Sequence, residues 1–285
     1  MSSTVDTVAA AAVVALRAAP DMEAVFRTAR DEEWHQLALD PSYGGDLADL
    51  AGVVRAVSAA GLSAPIPELY AGALGGATGV GLPLGGGELL VPWGRWCATV
   101  LVPSGGVVAA DGLRPGENLA GEPVDELLVD GAEGGDALLR WRVLHTARLA
   151  GAIEGAARRT AEYAETRVQF GKPIARFQAV SALVAEAHAQ SVLAGAALGA
   201  ALSDVDDEVA VLSAHAVAAR AAGAVARIAH QVHGAIGVTQ ELGLERLTRR
   251  LWAWRDLWQP EFATEAVLAA GVAVQGESYF WSDDD

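Results

Sequence analysis

The chain has 285 residues, enough for one large domain or two smaller ones with a real core, and 52% of them are apolar. Its net charge is −16 and its only lysine is Lys172, a surface that repels nucleic acid and anionic membranes and argues against both as partners. No uninterrupted apolar run reaches membrane-spanning length, Met1-Ser-Ser-Thr-Val-Asp6 lacks the basic start of a signal peptide, and the one cysteine, Cys97, permits no internal disulfide; the expected compartment is the reducing cytoplasm.

Residues 4–78 read as helical: Val5, Ala9, Val13 and Leu16, then Val53, Val54 and Val57, repeat at helical spacing, with Asp46 placed as an N-cap. Pro41-Ser-Tyr-Gly-Gly45 is a turn, and Pro65-Ile-Pro67 restarts the chain after Gly61. Near Gly79 the texture becomes Gly- and Pro-rich, with short β-type runs at Glu88–Val91, Cys97–Val102, Gly106–Val108 and Leu127–Val129. Gly85-Gly-Gly87 lacks the Lys and Ser/Thr of a phosphate-binding P-loop and reads as an ordinary turn. After Asp136 the chain is helical again. One helix is expected from Leu138 to about Val168, and a second from Arg176 to about Leu202 with Phe177, Val180, Leu183, Val184, Ala187 and Ala194 on its apolar face. A third, capped by Asp204 or Asp206, runs to about His233, a fourth spans Gln240 to Trp252, and Pro260 begins a last one before a frayed acidic tail, Ser282-Asp-Asp-Asp285. Alanine dominates these helices, which favours both helix formation and close helix approach. The expected fold is mainly α with a small β insert: an N-terminal helical region (1–78), a reduced β-segment (79–136) and a C-terminal bundle of about four helices (137–285).

Two segments carry chemistry that a plain bundle does not need: Arg167-Val-Gln-Phe-Gly-Lys-Pro-Ile174 and Gln231-Val-His-Gly-Ala-Ile-Gly237. A guanidinium, an aromatic ring, primary amides and glycines recur where long helices end. Arg neutralises a diphosphate through several rigid donors, a ring packs on a base, and Gly lets backbone approach phosphate, so the set suits a dinucleotide. Taken singly, Arg167 is equally an exposed helix-end cation, Phe170 a core aromatic and the glutamines helix caps. Other candidates are plainer. His230 and His233 sit three apart on a helix but have no further ligands for a metal. Arg246, Arg249, Arg250 and Arg255 either receive an anionic ligand or pair with neighbouring acids. Trp252, Trp254, Trp258 and Trp281 are dense enough to fill a subunit interface, and Cys97 reads as an inert, half-buried thiol.

Ala164-Glu-Thr-Arg-Val-Gln-Phe-Gly-Lys-Pro-Ile-Ala-Arg-Phe-Gln178 and Gln231-Val-His-Gly-Ala-Ile-Gly-Val-Thr-Gln-Glu241 closely resemble the two bundle signatures of the acyl-CoA dehydrogenase family. Trp34-His-Gln-Leu-Ala-Leu-Asp-Pro-Ser-Tyr-Gly-Gly45 resembles a turn of that family's N-terminal domain, and Gly116-Glu-Asn-Leu-Ala-Gly-Glu-Pro123 a loop of its members with short subunits. The resemblance implies a FAD cofactor shared across a subunit interface. Arg167 would contact its diphosphate and Phe170 its adenine end, Gln178 would hydrogen-bond it, and Gln231 with the Gly234-Ala235 backbone would meet diphosphate and ribose. Ala235 stands where the family usually has a second glycine, and its methyl would crowd that approach.

The family reaction removes the proton alpha to a thioester carbonyl, so a carboxylate must reach that proton. Register places the family's two base positions on Trp258 and Trp141, neither of which accepts a proton; Asp256, Glu261 and Glu154 are the nearby acids. The strand motifs that hold the isoalloxazine are also missing, since Trp93, Trp96 and Thr99 match neither spacing. These features resemble the shorter, base-lacking subunit of heteromeric members that act on bulky acyl-CoA esters of the steroid side-chain type. Such a chain would need a longer acyl-CoA dehydrogenase subunit bearing the carboxylate, an acyl-CoA substrate and electron-transfer flavoprotein as acceptor. Two alternatives stay open: a flavin-free structural or regulatory partner of the same fold, and a homomeric dehydrogenase with Asp256 as base.

Overall fold

The computed structural model describes residues 3–129, 138–258 and 261–275; the expected boundary at Asp136, the start at Pro260, Trp281 and the acidic tail lie outside them. Four helices open the chain: α1 (Ser3–Ala18), α2 (Met22–Asp31), α3 (Leu47–Ala59) and α4 (Ile66–Leu74). Each has a visible local cause. Asp21 caps α2 by accepting from the Ala24 N–H (2.8 Å). Asp46 begins α3 in a capping box with Asp49, each carboxylate accepting from the other's backbone N–H. Pro65 precedes α4, and Pro67 sits in its first turn, where a missing N–H does no harm.

Six short strands follow: β1 (Gly79–Val80), β2 (Leu82–Gly85), β3 (Glu88–Pro92), β4 (Thr99–Leu101), β5 (Val107–Ala109) and β6 (Val124–Leu128). They form two three-stranded sheets, β1-β4-β5 and β2-β3-β6, over a core of Leu89, Val91, Val100, Val102 and Leu127. The Gly85–Gly87 run is the β2–β3 hairpin turn, with all three glycines at positive φ. The loop from Gly116 to Pro123 is held at its base by Asp125. That buried carboxylate accepts from the Gly116 N–H (3.1 Å), the Arg95 N–H (2.6 Å) and the Arg95 guanidinium (2.7 Å). β1 and β2 escaped the sequence reading because two- to four-residue strands containing Gly and Pro carry no alternation to detect.

The helical remainder comprises α5 (Leu139–Thr166), α6 (Gln178–Ser203), α7 (Glu208–His233), α8 (Leu244–Arg255) and α9 (Glu261–Gln275), with a small hairpin of β7 (Val168–Gln169) and β8 (Lys172–Pro173) between α5 and α6. The helix α7 packs on α6, α8 and α9. Its cap is Asp207, not Asp204 or Asp206: the Asp207 carboxylate accepts from the N–H groups of Val209 (2.9 Å) and Ala210 (3.2 Å). Three aspartates in four residues look alike in sequence, and only the one whose backbone enters the helix extended can cap it. Although α7 is apolar enough by length and composition to cross a bilayer, 61% of that window is buried within the chain, as for a central core helix.

The described residues fall into two compact units, 1–152 and 153–285, dividing within α5. In the first unit, the start of α5 is buried on every side: Trp141, Val143, Leu144, Ala147, Leu149 and Ala150 are all at most 1% exposed. Gly151 lets α5 touch α3, because a Cβ there would fall on the Arg55 carbonyl oxygen. A buried ion pair ties α5 to α4. Arg148 makes a two-pronged contact with Glu68 (3.0 and 2.6 Å), donates to the Ala64 carbonyl (3.1 Å), and the Trp141 indole N–H donates to the same carboxylate (3.3 Å). Removing one partner would strand the other charge in a dry interior. Glu68→Ala is therefore expected to destabilise the chain by about 3–5 kcal/mol in urea unfolding, whereas the paired change Glu68→Leu with Arg148→Met is expected to stay within about 1 kcal/mol of the parent.

Candidate functional site

The six sequence-selected residues sit at helix ends of the second unit. α5 ends at Thr166, and β7 pairs with β8 in register Val168↔Pro173 and Gln169↔Lys172. Phe170 and Gly171 between them have φ of +52° and +80°, the pattern of a type I′ hairpin turn. Glycine adopts this freely; a phenylalanine does so at a cost of about 1–2 kcal/mol. Nothing local offsets that strain, since Phe170 is 92% exposed and touches only the Phe177 ring edge-on (6.0 Å) among the ring contacts. A bulky apolar side chain held strained and in water marks a site of function more than of folding.

Arg167 is anchored by its backbone, its N–H donating to the Tyr163 carbonyl and its carbonyl accepting from the Ile174 N–H (both 2.8 Å). Its guanidinium is exposed and has no acceptor among the described residues. Gln178 opens α6, exposed, directly after the hairpin. Because α6 and α7 are joined by the short stretch 204–207 and pack together, α7 returns to the end of the bundle where α6 begins. There Gln231 is exposed, and Gly234 ends α7 with φ +64° and ψ −146°, a conformation nearly exclusive to glycine. A Cβ on Gly234 would meet nothing within 4 Å, so its backbone faces open space; Ala235 beside it is exposed. Tyr163 of α5 stacks on His233 of α7 (4.2 Å between centroids, 18°), which joins the two motif-bearing ends. An unengaged guanidinium, an exposed ring and an open glycine backbone thus gather at one end, a fitting cradle for a dinucleotide's diphosphate and base.

His230 and His233 are packing residues. His233 Nδ1 donates to the Ala229 carbonyl (2.7 Å), and His230 stacks on Trp252 (5.5 Å, 11°) with Nε2 2.9 Å from Thr248 Oγ1. Burial pushes both imidazoles below their ordinary pKa. No group of three or more metal-ligating side chains occurs among the described residues. Cys97, half-buried between the Thr78 and Trp93 carbonyls, has its thiol pushed up to about 12 by burial, with Glu68 and Asp125 adding, which makes it inert near neutrality.

Residues 135–255 match the family described as acyl-CoA dehydrogenase, C-terminal domain. The chain has the acyl-CoA dehydrogenase fold. It is similar to acyl-CoA dehydrogenase IpdE2 of Mycobacterium tuberculosis strain H37Rv, 28% identical over 226 residues, and spans 58% of that protein's length with 79% of its own. Its structure is similar to the ChsE4-ChsE5 complex of Mycobacterium tuberculosis (TM-score 0.74, 21% identity, 96% of this chain and 98% of that one). It is likewise similar to the Tcur3481-Tcur3483 steroid ACAD (TM-score 0.78, 20% identity, 95% and 97%).

The positions that register assigns to the acyl-CoA dehydrogenase base are interior. Trp141 is fully buried, tied to Glu68, and stacked on His145 (4.7 Å). Trp258 is 9% exposed and Trp254 1%, so these two belong to the chain's own core and not to the expected subunit interface; α8 turns that face inward with Leu247 and Leu251. Asp256 is exposed, its two carboxylate oxygens held by the Arg255 Nε (2.8 Å) and a terminal nitrogen (2.7 Å). Glu154 is half-buried on α5 in the second unit, and the side chain of Glu261 lies outside the described atoms. The buried carboxylate beside Trp141 is Glu68, which the sequence reading passed over; its signal was a lone acid inside the apolar run Ile66-Pro-Glu-Leu-Tyr70.

Two outcomes are expected. Phe170→Asn places the preferred Asn-Gly pair in the type I′ turn and should stabilise the chain by about 1 kcal/mol in thermal unfolding; unchanged or lower stability would show that the turn is unstrained. The imidazoles of His230 and His233 should titrate below their ordinary range in proton NMR. Since the folded values are depressed, the stability these neutral rings contribute is complete above pH ~6.5 and is lost as pH falls through the folded values.

Proposed function

We propose that this chain is the shorter subunit of a heteromeric FAD-dependent acyl-CoA dehydrogenase, completing the adenine–diphosphate half of a flavin site and leaving proton abstraction to a longer partner. The observation that carries the reading is the convergence of exposed Arg167, Phe170, Gln178, Gln231, Gly234 and Ala235 at one end of the bundle, with the chain's own base positions filled by buried Trp141 and Trp258. In this reading the Arg167 guanidinium meets diphosphate charge, Phe170 lies against the adenine, Gln178 and Gln231 supply amide hydrogen bonds, and the open Gly234 backbone lets the ligand approach. FAD, when bound, supplies the hydride acceptor for alpha,beta-dehydrogenation of an acyl-CoA thioester. The partner supplies the carboxylate and the isoalloxazine contacts. A steroid-type acyl group fits the likeness to the Tcur3481-Tcur3483 steroid ACAD, electron-transfer flavoprotein is the natural acceptor, and the cytoplasm the natural compartment.

A second reading, a flavin-free structural partner of the same fold, is favoured by Ala235 and by the reduced β-segment. A homomeric enzyme with Asp256 as base has less support, because that carboxylate is engaged by Arg255. Co-expression with a longer homologue separates these. The parent complex is expected to purify yellow, and Arg167→Ala is expected to lower its flavin affinity about tenfold or more while the two chains still co-purify. Unchanged flavin content in Arg167→Ala would favour the flavin-free reading. Stoichiometric FAD and turnover by the chain alone would overturn the heteromeric one.

A further inference from the structure

A ring contact joins the two candidate motifs. Tyr163, in the last turn of α5, and His233, the last residue of α7, stack face to face (4.2 Å, 18°) beside the segments that carry Arg167 and Gln231. His233 is buried, and its Nδ1–H donates to the Ala229 carbonyl (2.7 Å), so the neutral ring carries its proton there and Nε2 is the atom left to take a second. The corner leaves the ring little room: a Cβ on Gly237 would lie 2.8 Å from the His233 Cβ and 3.3 Å from Leu244 of α8.

Among the described residues no carboxylate pairs with this ring. From α5 it meets the Tyr163 phenol, and Arg159, one turn earlier, donates to the Gly243 carbonyl (3.2 Å). From its own helix it meets His230, whose positive form would oppose a positive His233. On α8 the acid Glu245 lines the groove beside Trp252 with His230 and Arg227, and it pairs with Arg246 (3.8 Å). The helix α6 packs on α7 with a buried face of Ala187, Ser191, Ala194, Leu198 and Ala201, its Glu186 and His188 being exposed. Arg220 of α7 and Glu265 of α9 pair with each other, about three turns back along α7. Burial therefore pushes the His233 imidazole below its ordinary pKa, with His230 adding to the fall against a smaller opposing effect of the Ala229 carbonyl.

A cationic imidazole in this corner regains solvation only by leaving the stack. We propose that His233 is a positioning residue of the cradle: its neutral ring, stacked on Tyr163, holds Arg167 in register with Gln231 and Gly234, and a second proton on Nε2 opens the stack and uncouples the two motifs. The role rests on the flavin reading above and adds to it a proton-dependent hold on the cofactor. The bond from Arg159 to the Gly243 carbonyl is a second tie between α5 and this corner, so the bundle stays folded when the stack opens.

Two measurements from about pH 7.5 to about pH 5.5 test this: FAD titration of the complex with a longer homologue, and backbone hydrogen exchange of the lone chain corrected for the intrinsic effect of pH. FAD affinity is expected to be level above the ordinary histidine value of about 6.5 and to fall below the depressed value of His233, by at most about tenfold per pH unit, the limit for one proton. Exchange protection of residues 167–174 and 234–238 is expected to fall in parallel while the middle of α7 stays protected. His233→Phe keeps a ring on Tyr163 without the proton and is expected to give a level profile. Tyr163→Leu removes the stack and no group that titrates in this range, and is expected to be low in affinity and protection at every pH. A level parent profile, an affinity that rises on acidification because cation attraction to Tyr163 outweighs burial, a parent-like slope in His233→Phe, or a level profile in His230→Phe would each overturn the proposal. A complex without flavin at any pH would overturn the heteromeric reading instead, and hydrogen exchange of the lone chain then decides the positioning role by itself.

Discussion

The stack between Tyr163 and His233 brings into one place two motifs that are far apart in the chain. It forms because both rings lie where their helices end, Tyr163 in the last turn of α5 before the hairpin and His233 as the last residue of α7 before Gly234. His233 is oriented for it by the bond from Nδ1 to the Ala229 carbonyl, and burial keeps the ring neutral. A charged imidazole here would lose solvation, so the contact, and with it the relative placement of Arg167 and Gln231, depends on a desolvated pair of rings. Gly237 tightens the same corner: a Cβ there would sit 2.8 Å from the His233 Cβ.

Around that corner the chain spends stability in a patterned way. The strained Phe170 and the guanidinium of Arg167 stand exposed in and before the hairpin that follows α5, and that of Arg227 stands exposed on α7, whose buried face is largely alanine. By contrast, the first unit seals its charges: Glu68, Arg148, Asp125 and Arg142 are all at most 3% exposed. Buried charge of that kind favours one arrangement over near alternatives, because every other packing leaves an ion unpaired. The Arg167 and Arg227 guanidiniums meet no acceptor among the described residues, whereas the Glu68, Arg148 and Asp125 charges of the first unit are paired.

The interior location of Trp141 and Trp258 gives the proposed division of labour a structural basis. The Trp141 N–H is directed to Glu68, which Arg148 already engages.

Much of this was legible from residue order alone. Helical periodicity and alanine content located α5 to α8 to within a few residues, and the charge and ring chemistry of Arg167, Phe170 and Gln231 singled out the candidate motifs, because these signals are local in the chain. The cap at Asp207, the inward turn of Trp254 and Trp258, the tie from Glu68 to α5 and the groove beside Trp252 were not legible. Each depends on which face of one helix meets another, and three like aspartates or four like tryptophans read the same until a neighbouring backbone decides which is enclosed. Sequence determined the elements and the chemical character of the site; tertiary packing decided which charges are sealed, which ring is strained in water, and where an opening remains.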